Sequence, residues 1–192
     1  MNDSRERLVE TTRDLLEQQG YYATGLNQIV ETSGSPKGSL YYYFPDGKEE
    51  LTVEAIRRAG KIVLARIQSS LATVDEPGEA IRQFVLAIAG HVEAAEYRVG
   101  GPITAVAMET AATSPRLNEA CREVFRLWHG AFEEKISQTV HPPERASQIA
   151  SIVLAGIEGA TVLSRTYHSP EPLERVAKEL GLLLQGFDEQ RQ

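Results

Sequence analysis

Apolar residues recur at helical spacing along almost the whole chain, and this periodicity is the strongest constraint on the fold. In the first segment Leu8, Val9, Leu15 and Leu16 fall on one side of a helix. Later segments repeat the spacing, and none shows the every-second-residue alternation of a half-buried strand. The sequence therefore predicts an all-α protein of roughly nine helices.

Glycine and proline residues divide this pattern into two parts. Gly20, the stretch SGSP at 33–36 and Pro45 bound three short helices near the N-terminus. A long helix begins near Lys48, and breaks at RVGGP and HPPE separate the helices that follow. We predict an N-terminal domain at 1–47 and a larger helical domain at 48–192.

Composition limits the possible partners and the cellular compartment. The formal net charge is −7, and the first 50 residues hold five Lys/Arg against nine Asp/Glu, so a broad basic surface is excluded. The single cysteine excludes an internal disulfide and a multi-cysteine metal site. The charged N-terminus does not resemble a secretory signal, and no apolar run approaches the roughly 18 residues of a membrane span. We expect a cytoplasmic protein.

Three consecutive tyrosines stand in the segment KGSLYYYF at 37–44. Leu40 and Phe44 are four residues apart, so they share the face that a short helix would bury. Tyr42 then lies nearly opposite them, and Tyr41 and Tyr43 flank the buried face with their hydroxyls free to project. One interpretation is a surface helix with partly buried tyrosines, and another is a binding surface made of hydroxyl groups on rigid rings.

The segment before the tyrosines favours the second interpretation. A short helix, LNQIVETS, is followed by a tight turn containing Gly34 and then by the tyrosine segment. We predict that Thr24 caps the first of these helices and that Ser35 caps the second, with Pro36 in its first turn. Two short helices joined in this way form a helix-turn-helix, which places its second helix in the major groove of DNA.

The stretch TGLNQIVETSGSPKGSLYYYFPDGKEEL, residues 24–51, resembles the DNA-binding signature of the TetR/AcrR family of transcriptional regulators. The PDG turn makes the segment between the tyrosines and Lys48 one residue longer than is usual in the family, and in this the chain resembles the LmrA/YxaF-like subgroup. The resemblance implies that Leu40 and Phe44 are structural and that a named set of other residues contacts DNA. The implied base contacts are Lys37, Gly38, Ser39 and Tyr43, the implied phosphate contacts are Thr24, Tyr41, Tyr42 and Lys48, and Ser35 belongs to the same DNA-binding set.

The C-terminal helices are expected to form a homodimer. The segment IASIVLAGIEGATVL mixes branched aliphatic residues with small ones that allow close helix approach, and the last helix carries a second apolar face. An ordinary buried helix pair is the alternative. The predicted interface residues are Ile149, Ile152, Val153, Gly156, Ile157, Ala160, Leu180, Leu183 and Leu184.

The resemblance also implies a small-molecule effector, which we expect to be apolar or aromatic. Aromatic or polar side chains on otherwise apolar stripes are candidates for its pocket, although core packing explains each of them singly. The candidates are Phe84, His91, Met108, Phe125, Trp128 and His129. The family behaviour implies a repressor that leaves its operator when the effector binds.

Two other classes of function compete with a DNA-binding regulator. An enzyme is disfavoured because the four histidines lie on separate segments and no phosphate-binding loop or metal-ligand spacing occurs, so we predict no catalytic residue, metal or cofactor. A helical adaptor that binds protein through the tyrosine segment stays open. Sequence-specific DNA binding distinguishes the regulator from the adaptor.

Overall fold

A computed structural model describes residues 3–101 and 103–188 of the chain. Within those residues it contains nine helices and no strand, which confirms the predicted all-α fold. The helices are α1 (Asp3–Ala23), α2 (Leu26–Ser33), α3 (Lys37–Tyr43), α4 (Lys48–Leu71), α5 (Pro77–Ala94), α6 (Thr104–Thr110), α7 (Pro115–Ile136), α8 (Pro143–Tyr167) and α9 (Glu171–Asp188).

The chain divides into two compact units, and both are discontinuous in sequence. The first comprises Met1–Ile62 and Gly101–Phe125, and the second comprises Val63–Gly100 and Arg126–Gln192. Helices α4 and α7 each begin in the first unit and end in the second. This division follows packing, whereas the predicted division after residue 47 concerns function and stays a prediction.

The first unit is built around α1, which packs against α2, α3 and α6. Its buried side chains include Leu8, Leu16 and Ile29. The sequence predicts that Gly20 ends the first helix, and Gly20 does break it, but a last helical stretch continues to Ala23. Gly20 has φ 78° and ψ −176°, a conformation that a residue with a side chain rarely adopts.

The two predicted N-caps are wrong. Gly25 and Pro36 occupy the cap positions of α2 and α3, and neither helix has a side-chain cap. The Thr24 hydroxyl donates instead to the carbonyl of Gly20, at 2.7 Å. The Ser35 hydroxyl lies 3.4 Å from the Ser4 carbonyl, to which it donates. Both hydroxyls therefore bind a backbone carbonyl of α1, which takes them away from the helix starts.

The turn between α2 and α3 and the end of α3 follow the sequence prediction. Gly34 adopts the left-handed conformation with φ 60° and its amide donates to the Glu31 carbonyl, which ends α2. Helix α3 ends at Tyr43, two residues before Pro45, as the restriction on residues preceding proline predicts. The two short helices thus form the expected helix-turn-helix.

The second unit is a packed group of α5, α8 and α9. The Glu76 carboxylate caps α5 by accepting the Gly78 amide at 2.6 Å, and Pro77 occupies its first turn. The rings of Phe84 on α5 and Phe132 on α7 pack 5.8 Å apart, centre to centre.

Helix α8 is long and apolar enough to cross a membrane by length and composition alone. An 18-residue window within it has mean hydropathy 1.5, and 39% of that window is buried. The prediction that no segment is long enough rested on unbroken apolar runs. The 18-residue window, in contrast, can contain scattered polar residues. Core helices of soluble proteins pass the same test, and α8 packs against α5 and α9.

Candidate DNA-binding site

Helix α3 buries two side chains and presents the rest outward. Leu40 is 1% exposed and Phe44 2%, whereas Tyr42 is 79% exposed. This arrangement confirms the orientation predicted from the spacing of Leu40 and Phe44. We call the outward residues the hydroxyl face. Lys37, Gly38, Tyr41 and Tyr42 are its exposed members, and Ser39 and Tyr43 are half-buried.

One contact within α3 and one contact with α1 restrict the aromatic side chains at the end of α3. The Tyr42 and Tyr43 rings meet edge to face with centroids 5.0 Å apart, so each restricts the other. The Arg5 guanidinium of α1 lies 5.5 Å from the centre of the buried Phe44 ring and pairs with Glu54 at 3.1 Å. The hydroxyl face is therefore carried on a helix that is tied to α1 and, through Glu54, to α4.

Thr24 and Ser35 do not belong to the hydroxyl face. Thr24 is fully buried, its hydroxyl is bonded to Gly20, and its amide donates to the Tyr21 carbonyl at 3.2 Å. Ser35 is 5% exposed, and its amide donates to the Ser33 hydroxyl. The hydroxyl and the amide of Thr24, the two groups that could donate to a phosphate, are thus engaged inside the first unit. Thr24 and Ser35 therefore leave the predicted contact set.

Lys48 is held on the end of α1. Its ammonium donates to the Tyr21 carbonyl at 2.6 Å and stands 4.0 Å from the centre of the Tyr21 ring. Burial lowers the pKa of Lys48, and the nearby Glu109 carboxylate acts in the opposite direction. The phosphate contact implied for Lys48 stays a prediction, and the structure adds that this lysine already has a partner within the chain.

Carboxylates neutralise several arginines of the first unit. Arg5 pairs with Glu54, Arg58 with Glu6, Arg57 with Glu123 and Arg116 with Asp46. Together with the net charge of −7, these pairs leave few cations to attract DNA over a distance. We therefore expect DNA recognition by this unit to depend on short-range contacts and not on long-range attraction.

Comparisons with known proteins identify the family. The model for bacterial regulatory proteins of the tetR family matches residues 8–55, and the model for the C-terminal domain of LmrA/YxaF-like transcriptional regulators matches residues 77–179. The chain belongs to the TetR family. It is therefore a helix-turn-helix transcriptional regulator, and both the predicted family and the LmrA/YxaF-like subgroup are confirmed.

Relatives of known sequence or structure agree over nearly the full length. The uncharacterized HTH-type transcriptional regulator YxaF of Bacillus subtilis is 41% identical over 182 residues, 95% of each chain. The regulator LmrA of the same organism is 38% identical, with 91% of this chain and 93% of LmrA aligned. A TetR transcriptional regulator from Chloroflexus aurantiacus superposes with a TM-score of 0.82 at 27% identity, covering 96% of this chain and 95% of that one.

The predicted dimer residues of this TetR-family chain are mostly core residues of the subunit itself. Of the nine, only Ile152 is exposed, at 49%, and Gly156 and Leu183 are half-buried. The remaining predicted residues are buried by the chain's own helices, namely Ile149, Val153, Ile157, Ala160, Leu180 and Leu184. The sequence prediction therefore chose the inward side of α8 for the interface.

The outward side of α8 is also apolar, and sequence reasoning missed most of it. Its exposed residues follow one another at spacings of three and four, which is the signal that identifies a helix face. We call this surface, with one exposed leucine of α9, the aliphatic face. It comprises Ile152, Ala155, Gly159, Val162, Leu163 and Leu182.

The six pocket candidates differ in their surroundings. Phe84 and Trp128 are buried in the second unit, where Phe84 packs on Phe132. The Nε2 atom of His129 lies 3.0 Å from the Ser147 carbonyl, and it makes an equally short contact with the Ser151 hydroxyl.

The other three candidates are less enclosed. His91 is exposed on α5 of the second unit. Met108 is 78% exposed and Phe125 is half-buried, and both belong to the first unit. The pocket stays a prediction, with Phe84 and Trp128 as its buried members.

Two further observations concern chemistry outside DNA binding. Within residues 3–101 and 103–188, no three His, Cys, Asp or Glu side chains are grouped so that they could hold a metal ion. Cys121 is buried in α7, and burial raises the pKa of its thiol to about 11. The thiol is therefore protonated at neutral pH.

Proposed function

We propose that this chain is a cytoplasmic, dimeric repressor that binds operator DNA through α3 and leaves it when a small apolar or aromatic molecule binds. Membership of the TetR family supports the regulator class. The proposal adds that the protein is a dimer, that the effector releases it from DNA, and that the effector is apolar or aromatic. The observation that carries it is the hydroxyl face, which Leu40 and Phe44 anchor and which exposes Tyr42.

The hydroxyl face has the groups that a half-site of DNA requires. Lysine and hydroxyl side chains donate hydrogen bonds to phosphate oxygens and base edges, and a glycine permits close approach of the helix backbone. In the proposed complex Lys37, Gly38, Ser39 and Tyr43 face the bases. Tyr41 and Tyr42 bind phosphates, and Lys48 binds another phosphate beside them.

The aliphatic face supports the proposed dimer. Exposed branched side chains at Ile152, Val162 and Leu163 surround the small residues Ala155 and Gly159, which allow a second helix to approach closely. Two copies related by a two-fold axis would cover these faces and form a four-helix interface with α8 and α9. Such a dimer binds two half-sites if its α3 helices stand about 34–36 Å apart, one turn of DNA.

The buried aromatic side chains of the second unit support an apolar effector. Phe84, Trp128 and Phe132 supply rings, and His129 supplies a polar group at the edge of that unit. A molecule that binds more tightly when α4 is tilted away from the DNA-binding position shifts the protein toward that state. When saturating, it lowers the DNA affinity by at most the ratio of its own affinities for the two states. Control in this proposal is therefore a shift between two states.

A binding experiment with two duplexes tests the DNA part of the proposal. One duplex carries the sequence upstream of the gene for this protein, and the other carries the same bases in scrambled order. We expect the first to bind at least about 10³-fold more tightly at physiological salt, the lower end of specific recognition. Equal or undetectable binding of both duplexes, with a protein partner captured through α3 instead, would support the adaptor.

A pair of lysine variants shows whether α3 makes the contact. Lys37→Ala removes the exposed cation of α3, and Lys178→Ala removes an exposed cation from α9 as a matched control. We expect the first to weaken specific binding about tenfold per half-site and the second to leave it within about twofold, because Lys37 reaches DNA in the proposed complex and Lys178 does not. Melting temperatures should match the wild type in both variants.

A thermal-shift screen of small aromatic molecules tests the effector part. We expect a compound that raises the melting temperature to lower DNA affinity in a second measurement, because it stabilises the state that does not bind DNA. Stabilising compounds that leave DNA affinity unchanged would contradict the proposed release.

A further inference from the structure

Glu109 of α6 binds the end of α1 through two backbone amides. Its Oε2 atom accepts the Tyr21 N–H at 2.8 Å and the Tyr22 N–H at 2.9 Å. The break at Gly20 interrupts the helical hydrogen bonding just before these amides, so they depend on an acceptor outside α1. The carboxylate therefore replaces the partners that the helix no longer supplies, with the extra strength of a charged acceptor.

The Tyr21 carbonyl, which belongs to the same peptide group as the Tyr22 N–H, binds Lys48. The Tyr21 carbonyl accepts the Lys48 ammonium at 2.6 Å, and the Tyr21 ring lies under that ammonium at 4.0 Å. Tyr21 is thus bonded to α6 through its amide and to the first residue of α4 through its carbonyl. A displacement of Glu109 moves the group that holds Lys48.

Three further bonds tie the segment between α6 and α7, and the first turn of α7, to the same region. The Tyr22 hydroxyl and the Thr113 hydroxyl are 2.7 Å apart. The Arg116 guanidinium donates to Asp46 at 2.9 Å. The Ser114 hydroxyl donates to the carboxylate of Glu49, next to Lys48. Helix α6 itself is therefore bonded to the end of α1, and the segment that follows it is bonded to the region around the beginning of α4, within one unit of the chain.

Gly20 is required for this arrangement on two grounds. Its φ of 78° disfavours any residue with a side chain. A Cβ atom at this position would also lie 2.1 Å from Oε1 of Glu109, far inside van der Waals contact. A side chain at position 20 would therefore expel the Glu109 carboxylate from the Tyr21 and Tyr22 amides.

We propose that Glu109 is a positioning residue for DNA binding: through Tyr21 it sets the location of the Lys48 ammonium, so the position of α6 controls one phosphate contact in each half-site. This inference rests on the proposed function, because it takes Lys48 as a phosphate contact. It assigns to α6 a direct route to the DNA that involves no residue of α3.

The first experiment compares Glu109→Ala, Lys48→Ala and the double variant on the duplex from upstream of the gene. We expect each single variant to weaken binding about tenfold per half-site, as the loss of one charge-assisted hydrogen bond does. We also expect each to reduce the slope of log K against log salt by about one per half-site, as for one lost phosphate contact in each. The double variant should bind no more weakly than Lys48→Ala alone.

Matched variants separate positioning from charge and folding effects. Glu119→Ala removes a carboxylate from α7 in the same unit, where it pairs with Arg122 on its own helix. Glu119→Ala should strengthen DNA binding slightly, because it only removes a negative charge. Weaker binding in Glu109→Ala would therefore indicate a loss of positioning. Glu109→Gln keeps an oxygen acceptor and should bind within about threefold of the wild type, whereas Gly20→Ala should behave like Glu109→Ala.

Amide hydrogen exchange gives a readout that does not depend on DNA. Glu109→Ala should expose the Tyr21 and Tyr22 amides and speed their exchange at least about tenfold, with Glu109→Gln close to the wild type. Unchanged exchange in Glu109→Ala, or additive losses of DNA affinity in the double variant, would overturn the proposal. If the wild type binds no specific DNA, the proposed function fails, and this exchange experiment still decides whether Glu109 holds Tyr21.

Discussion

The hydroxyl face of α3 and the aliphatic face of α8 and α9 both expose large side chains, but their chemistry is opposite. Tyr41 and Tyr42 end in groups that donate and accept hydrogen bonds, whereas Ile152, Val162 and Leu163 offer only apolar surface. The first kind of surface suits phosphates and bases, and the second suits another apolar surface. An exposed side chain therefore indicates the class of partner by its chemical type.

The two faces also differ in how the rest of the subunit supports them. Helix α3 has seven residues, and the buried pair Leu40 and Phe44 fixes its orientation. Helix α8 has 25 residues and is apolar on two sides, one of which is buried within the subunit. Substitutions that affect folding, dimerisation and DNA binding separately can test whether these two surfaces have different functions.

The largest expected effect is at the buried side of α3. Leu40→Ala should lower the free energy of unfolding by about 2–5 kcal/mol, because it deletes a fully buried side chain and leaves a cavity. Urea unfolding measures this loss, and Tyr42→Phe is the control with an expected change below about 0.5 kcal/mol. A large loss of stability in the control would place Tyr42 in the core and remove the hydroxyl face.

The next effect concerns the aliphatic face. Leu163→Glu should weaken the dimer by about 3 kcal/mol, because dimerisation would bury a carboxylate without a partner. Sedimentation or light scattering at several protein concentrations measures the change. Leu127→Glu is the matched control, since Leu127 is 49% exposed on α7 outside this face. A dimer that Leu163→Glu leaves intact would show that the interface lies elsewhere, and equal weakening by both substitutions would show that the loss is not specific to this face.

A smaller effect is expected for a single hydroxyl of α3. Tyr42→Phe should cost about 1.5 kcal/mol of specific DNA binding per half-site, or about tenfold, through loss of one hydrogen bond to phosphate. Fluorescence anisotropy with the duplex from upstream of the gene measures this change. Tyr167→Phe is the control, because Tyr167 is 64% exposed on α8. Unchanged affinity in Tyr42→Phe would remove Tyr42 from the contacts.

The smallest effect is the response of non-specific binding to salt. Few cations of the first unit lack a carboxylate partner, so binding to random duplex should be weak at 150 mM salt. Between 50 and 200 mM salt it should fall by about tenfold or less, well below the change seen for proteins with many phosphate contacts. Tight random binding at physiological salt would show that the contact set omits basic residues.

The sequence predicts the fold and the orientation of α3 well, for a physical reason. Helical spacing and breaks at glycine and proline depend on neighbours in the chain, and Leu40 and Phe44 leave only one way to bury the short helix. The predictions at Thr24 and Ser35 fail because each hydroxyl has a carbonyl of α1 within reach. Sequence alone does not show which of two possible hydrogen-bond partners a side chain binds.

Two other features depend on contacts that are distant in sequence. Periodicity shows that α8 is apolar on two sides, but the choice between them depends on how α5 and α9 pack, so the predicted interface included core residues such as Val153. The contacts of Glu109 could not be predicted, because its partners lie 88 and 87 positions earlier in the chain. Long-range contacts of this kind appear only in a structure.

The burial of Cys121 makes this protein convenient for spectroscopy. Its only thiol is enclosed in α7 and, with a pKa of about 11, stays unreactive at the pH of most labelling protocols. A cysteine introduced at an exposed position beside α3 would therefore accept a spin label selectively, without prior removal of the native one. In a dimer, the two labels would report the separation of the recognition helices in ångströms, with and without a bound compound.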